Sequence, residues 1–197
     1  MKEWGDYMKK ISPYILLTSL AIYSSFMLSN VWKVFNIYAI LLFMLSTFLL
    51  VGHVTKDSKS TALKRIVKSY FLFMVGGATY VLIEILFRNY SHVSMFILGG
   101  LCFILIGVLN ELIDISLPSQ MFLSSIIITG LEYITGYIVN IKLELNIWDY
   151  SNLPYNLNGQ ICLLFFNLWF LLSIVGILID DILRTFVFGE KFPKYYL

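Results

Sequence analysis

Six long apolar runs, at about 12–30, 34–54, 69–87, 93–116, 119–141 and 160–183, occupy most of this 197-residue chain and leave only short connections between them. About 20 residues of helix cross the hydrocarbon core of a bilayer, and a chain in lipid must satisfy its backbone polar groups internally. The pattern predicts an all-α fold: a polytopic membrane protein built as a six-transmembrane-helix bundle, with residues 1–197 forming a single integral membrane domain. Composition agrees, with 59% hydrophobic and 13% charged residues, against roughly 25% charged in soluble domains. Little chain remains for an extramembrane catalytic or nucleotide-binding domain, and no stretch has the phosphate-cradling G-x-x-x-x-G-K-[ST] pattern. An ATP-driven role needs a second subunit.

The distribution of charge predicts orientation. With the N-terminus inside, the cytoplasmic segments hold Lys2, Lys9, Lys10, Lys56, Lys59, Lys64, Arg65, Lys68, Arg184, Lys191 and Lys194, and the outer side holds only Lys33, Arg88 and Lys142. That asymmetry follows the positive-inside rule and places both termini in the cytoplasm. Lys9-Lys10 followed by an apolar run imitates a signal peptide, but no small-residue cleavage site follows, so an uncleaved first helix is expected. The segment 55–68 is the long basic cytoplasmic loop, either a topology determinant drawn to anionic lipid or a docking segment for a cytoplasmic ATPase. A net charge of +2 gives no reason to expect nucleic acid as a partner. Cys102 and Cys162 sit within apolar runs and imply no disulfide, and no His/Cys/carboxylate spacing reads as a metal site. No cofactor is expected.

Ionisable residues at membrane depth are costly and each needs a reason. Glu84 precedes Arg88 by one turn, so the two can pair at i,i+4, with Tyr80, Ser91 and His92 as polar neighbours. Glu132 lies in the body of the span 119–141, where Thr129, Glu132, Tyr133, Gly136 and Asn140 form one helical stripe that must face protein or water. Asn110, Glu111 and Asp114, and likewise Asp180, Asp181 and Arg184, fall at inner helix ends, where anchoring is the simplest use. The segment from Trp148 to Gln160, between the last two spans on the outer side, combines amphipathic rings (Trp148, Tyr150, Tyr155) with turn and cap formers (Asp149, Ser151, Asn156, Asn158). It is either an ordered interfacial cap or the polar edge of a ligand site. The expected topology sets it beside Glu84, Arg88, His92 and the outer part of the Glu132 stripe.

These segments carry a resemblance. Residues 80–92 (YVLIEILFRNYSH), 95–102 (MFILGGLC), 109–111 (LNE), 131–136 (LEYITG) and 148–162 (WDYSNLPYNLNGQIC) resemble the putative type IV ABC-transporter (CmpB-like) family of bacterial integral membrane proteins, over roughly residues 70–185. The resemblance highlights Glu84, Arg88, Asn110, Glu111, Glu132, Trp148, Asp149, Tyr150, Asn156, Asn158 and Gly159. The chain departs from the family pattern in carrying Gln160 where an Arg is expected, and in lacking a longer Gly/Pro-rich segment.

The leading expectation is therefore a bacterial inner-membrane component that binds or moves a small solute through an outward-facing polar pocket, working with a separate ATPase. Glu132 and Asp149 would bond or charge-pair a small-molecule or lipid ligand, Arg88 would hold an anionic group, Trp148 and Tyr150 would stack or close the site, and Asn156 and Asn158 would position the loop. A structural or regulatory membrane subunit is the alternative. An intramembrane enzyme using Glu132 and Asp149 as acid and base is a third, opposed by the absence of a nucleophile–base pair.

Overall fold

The computed structural model describes residues 44–52 and 61–196. Among these, four helices are long and apolar enough to cross a membrane. They are α1 (Thr61–Arg88), α2 (Val93–Leu112), α3 (Leu117–Gly136, continued by a π-helical stretch Tyr137–Lys142) and α4 (Leu163–Phe188). The expected span 12–30 lies outside the described residues. The expected span 34–54 is described only over 44–52, which is helical. The six-helix count is thus seen as four spans plus this segment.

Helix ends differ from the apolar runs for local reasons. α1 starts at Thr61, two turns before the run at 69, and so absorbs Lys64, Arg65 and Lys68 from the expected basic loop. Hydropathy marks where lipid begins, whereas Lys and Arg are good helix formers that extend the helix past that level. Asn89, in the left-handed region (φ 59), ends α1, and Asn tolerates that conformation better than most residues. α3 opens behind Ser116 with Pro118 in its first turn, the position where a missing N–H costs nothing. Gly189 (φ 71) caps α4, with its N–H bonded to Thr185 O and that of Glu190 to Arg184 O.

The described residues fall into two compact units, within 1–96 and within 97–197. In the first, Phe71, Leu72, Val75, Ala78 and Met95 are buried, and Phe73 meets Phe96 edge-on with centroids 5.9 Å apart. In the second, the buried faces of α3 and α4 are mostly polar. α3 buries Gln120, Ser124, Ser125 and Glu132 beside Ile128 and Gly136, and α4 buries Ser173, Asp180, Asp181 and Arg184 beside Ile177. Large apolar side chains such as Phe122, Ile126, Ile134, Leu171 and Phe186 point outward. Lipid tails reward no burial of Leu or Ile, so small and hydrogen-bonding residues hold such helices together. Ser173 Oγ, donating to Phe170 O at 2.7 Å and lying 3.3 Å from Met121 O, marks the α3–α4 seam.

Between α3 and α4 the chain makes a small antiparallel hairpin, β1 (Asn156–Leu157) and β2 (Ile161–Cys162), an element not expected from the sequence. Asn158 (φ 52) and Gly159 (φ 68) form its turn, closed by Gln160 N–H to Leu157 O at 3.0 Å. Asn-Gly with two positive φ values is the pattern of a type I′ turn, whose twist matches that of paired strands.

Candidate functional site at Glu132 and the α3–α4 hairpin

The π-helical stretch is where α3 stops being a plain span. Leu143 N–H reaches back to Ile138 O at 3.0 Å and Leu145 N–H to Val139 O at 2.9 Å, and Asn140, buried, faces the hairpin. Its Nδ2 donates to Trp148 O (3.0 Å) and Gln160 Oε1 (2.8 Å), and its Oδ1 accepts from Ile147 N–H (2.7 Å). Trp148 is buried and donates Nε1–H to Gln160 O at 2.9 Å, while Gln160 Nε2 donates to Asn158 O at 3.0 Å. These buried amides need partners, and each finds them in one node that fixes the hairpin to α3. Gly136 makes room for it: a Cβ there would lie 2.5 Å from Gln160 Oε1 and 2.9 Å from the Trp148 ring.

The outer part of the hairpin is held the same way. Asp149 is exposed and accepts from Ser151 N–H and Ser151 Oγ–H, both at 2.8 Å. These bonds hold its carboxyl below the ordinary carboxylate range. Asn156 donates to Ser151 O (3.1 Å) and Leu153 O (2.7 Å) and accepts from Gly159 N–H (3.1 Å). Asn158 donates to the Tyr133 hydroxyl at 3.0 Å. Gly159 is needed twice, for its φ of +68° and because a Cβ would sit 2.6 Å from Asp149 Oδ1.

Tyr150 links this cap to the membrane interior. Its hydroxyl donates to Glu132 Oε1 at 3.1 Å, and its ring stacks on Phe165 of α4 with centroids 4.4 Å apart and planes 15° from parallel. Glu132 Oε2 accepts from Trp169 Nε1–H at 2.8 Å. Glu132 is 1% exposed. α3, α4 and the connecting loop therefore meet on one carboxyl group. Thr129 Oγ1, one turn before it on the same helix, is buried with no hydrogen-bond partner.

The first unit contains a separate polar group. Arg88 Nη2 pairs with Glu84 Oε1 at 2.7 Å, the i,i+4 ion pair expected from the sequence, and Ser91 Oγ donates to Glu84 Oε2 at 2.7 Å. Arg88 also lies 5.6 Å from the Tyr90 ring centroid. His92 Nδ1 bonds Ser94 Oγ (2.9 Å) and accepts from Ser94 N–H (3.2 Å), and partial burial lowers its pKa. Of the expected site residues, Glu132 and Tyr150 meet directly. Trp148, Asn156 and Asn158 shape the hairpin, Asp149 stabilises its first turn, and Glu84 and Arg88 hold each other.

One contributor was not expected. Trp169, deep in an apolar run, gives no polar signal in sequence, although its indole N–H must find an acceptor once it is away from water. The inner-end acids are also more connected than simple anchors. Arg184 Nε donates to Asp180, completing the expected i,i+4 pair, and its Nη1 reaches Glu111 of α2. Asn110 Nδ2 contacts both oxygens of Asp181 at 2.7 and 2.9 Å, and Tyr195 Oη donates to the same carboxyl. Burial, then that bond, raises the Tyr195 pKa. Leu117 N–H donates to Tyr196 O at 2.7 Å, so α2, α3, α4 and the segment 190–196 are tied together at this end. Among the described residues no group of three or more His, Cys, Asp or Glu has the geometry to hold a metal ion.

No curated protein and no solved structure matches the chain. The family model described as "Putative ABC-transporter type IV" matches residues 59–192. That match takes in all four described spans, the Glu132 site and the hairpin, and more than half of the chain; this membrane protein belongs to the family described as putative ABC-transporter type IV.

Proposed function

We propose that the chain is a small multipass component of a bacterial plasma-membrane transport system, with six spans and both termini cytoplasmic, that binds or passes a small solute at Glu132 beneath the α3–α4 hairpin. The observation that carries this reading is a carboxyl group 1% exposed within a membrane span, met by donors from two other elements, Tyr150 and Trp169. Ionisable groups at such depth mark substrate or ion pathways more often than packing alone. In this reading Glu132, Tyr150 and Trp169 contact the solute, and Trp148, Asp149, Asn156 and Asn158 hold the hairpin that carries Tyr150. Glu84 and Arg88 serve as an interfacial anchor, because each already satisfies the other. Energy comes from a separate ATPase that docks on the basic segment 55–68, of which Lys64 and Arg65 lie exposed on the first turns of α1.

A structural or regulatory subunit is the second reading. It is favoured by the completeness of the hairpin's hydrogen bonding and by the engagement of both Glu132 oxygens within the chain. Purification of the tagged chain from its native membrane, followed by uptake assays in proteoliposomes, separates the two. Co-purification of an ATPase with ATP-dependent solute uptake supports transport. A complex that moves no solute, and that loses assembly rather than uptake on Glu132→Gln, supports the structural role.

A further inference from the structure

We propose that the buried face of α3 holds a file of water molecules that reaches Glu132 from the Leu117 end of the helix and is closed at the other end by the hairpin. This goes beyond the reading of Glu132 as a solute site, because it states from which side that residue is reached. Among the described residues, three of the five buried side-chain oxygens without a hydrogen-bond partner belong to α3: Gln120 Oε1, Ser124 Oγ and Thr129 Oγ1. Gln120 is 5% exposed and Ser124 0%. The Gln120 amide is fixed by its own Nε2, which donates to Ile115 O at 3.1 Å.

A hydroxyl carried into a helix away from water can satisfy itself on a carbonyl three or four residues back. Thr47, Ser125 and Ser173 do so, on Met44 O, Phe122 O and Phe170 O at 2.9, 2.7 and 2.7 Å. Ser124 and Thr129 do not. Their partners therefore lie off the helix, and ordered water is the common partner of buried polar groups that the chain leaves unmatched.

The spacing of these residues suits a file. Gln120 and Ser124 stand four residues apart, as do Ser125 and Thr129, and Thr129 stands three from Glu132. Side chains at such spacings are neighbours, about 5–6 Å apart at Cβ, a gap that one water fills with two hydrogen bonds of about 2.8 Å. Ser124 and Ser125 are consecutive and carry the file past buried Ile128; the Ser125 hydroxyl, though donating to Phe122 O, keeps its acceptor lone pairs. From Gln120 to Glu132 the helix rises about 18 Å, so the file covers more than half of a span. Past Glu132 it ends. Gly136 fits closely against Gln160 and Trp148, and Asn140, Trp148 and Gln160 are buried and bonded to one another.

The test is side-resolved access of silver ions, which bind thiols and are close to water in size, to single cysteines placed in the full chain in right-side-out and inverted membrane vesicles. Modification is read site by site by mass spectrometry, so Cys102 and Cys162 stay in place. Ser119→Cys, exposed near the Leu117 end, and Asn146→Cys, exposed beyond Lys142, identify the face that the reagent meets. Silver on the Leu117 side should modify Ser124→Cys and Thr129→Cys at least roughly tenfold faster than Ile126→Cys, because a cation must leave water to reach a thiol outside the file. Ile126 lies at the same depth but is exposed. Silver on the hairpin side should modify none of the three. Ser124→Leu, which fills the file between its entrance and residue 129, should abolish the reaction at Thr129→Cys; should that variant fail to fold, Gln120→Leu takes its place. Reaction at Ser124→Cys no faster than at Ile126→Cys, or equally fast from both sides, overturns the file, and so does reactivity at Thr129→Cys that survives the leucine substitution. Each of these outcomes leaves Glu132 as a solute site to be judged by the uptake assay alone.

Discussion

The phenol of Tyr150, carried on the loop between α3 and α4, donates to Oε1 of Glu132 at 3.1 Å inside the span that precedes that loop. A loop and a buried acid are thereby made one unit. Opening the loop uncovers the acid, and altering the acid loosens the loop.

Tyr150→Phe removes that donor while keeping the stack on Phe165. A protein hydrogen bond is worth about 0.5–1.5 kcal/mol net, so a loss in that range is expected in unfolding measured in mixed micelles. Combined with Glu132→Gln, the double variant should cost less than the sum of the single losses. Strict additivity would mean that the two groups are not coupled.

Gly136→Ala and Gly159→Ala should both unseat the hairpin, by different routes. The first drives a Cβ into Gln160 and Trp148, and overpacking of this kind costs about 1–3 kcal/mol. The second forces a side chain into a left-handed backbone and against Asp149, which costs about 1–2 kcal/mol from the conformation alone. Hydrogen exchange of residues 147–162 reads both. Faster exchange confined to this segment is the expected outcome, and unchanged protection would contradict the close approaches described.

Asp149 supplies a pH dependence with a definite sign. Its folded pKa lies below the ordinary carboxylate value because Ser151 bonds the ionised form. Its contribution is therefore complete above the ordinary carboxylate pKa and disappears as pH falls through the depressed folded value. Protection of the hairpin should drop in acid in the native chain, and Asp149→Asn should flatten that drop between the same limits. An acid transition of equal size in the variant would assign it to another group.

Arg184→Leu should be more damaging than any hairpin change. It leaves Asp180 buried without the guanidinium that now bonds it, and breaking a buried pair from one side costs about 3–5 kcal/mol. Arg184→Leu with Asp180→Asn should recover part of that loss. A double variant no more stable than Arg184→Leu would show that the pair is not the source of the cost.

Much of this arrangement is legible in the sequence, for physical reasons specific to each part. Apolar length reveals α1 to α4 because lipid imposes a minimum span, but it misplaces the start of α1, where Lys64 to Lys68 remain helical beyond the lipid. The i,i+4 pairs Glu84–Arg88 and Asp180–Arg184 are fixed by helix geometry and appear as expected. The stripe through Glu132, Gly136 and Asn140 is buried as its periodicity requires. Asn158-Gly159 carries the sequence signal of a two-residue turn between paired strands. The remainder depends on non-local contact. Nothing local tells that Trp169 meets Glu132, that Gln160 meets Asn140 across twenty residues, or that Asp149 is spent on its own turn instead of facing a solute.

The most direct test of the central claim is a thermal-shift screen of the purified full chain against a broad panel of small solutes, run in parallel on Glu132→Gln and Tyr150→Leu. The account predicts at least one solute that raises the unfolding temperature of the native chain in a saturable, concentration-dependent manner and does nothing for either folded variant. Stabilising solutes that act equally on all three proteins, or a panel that stabilises none of them, would contradict a solute site at Glu132.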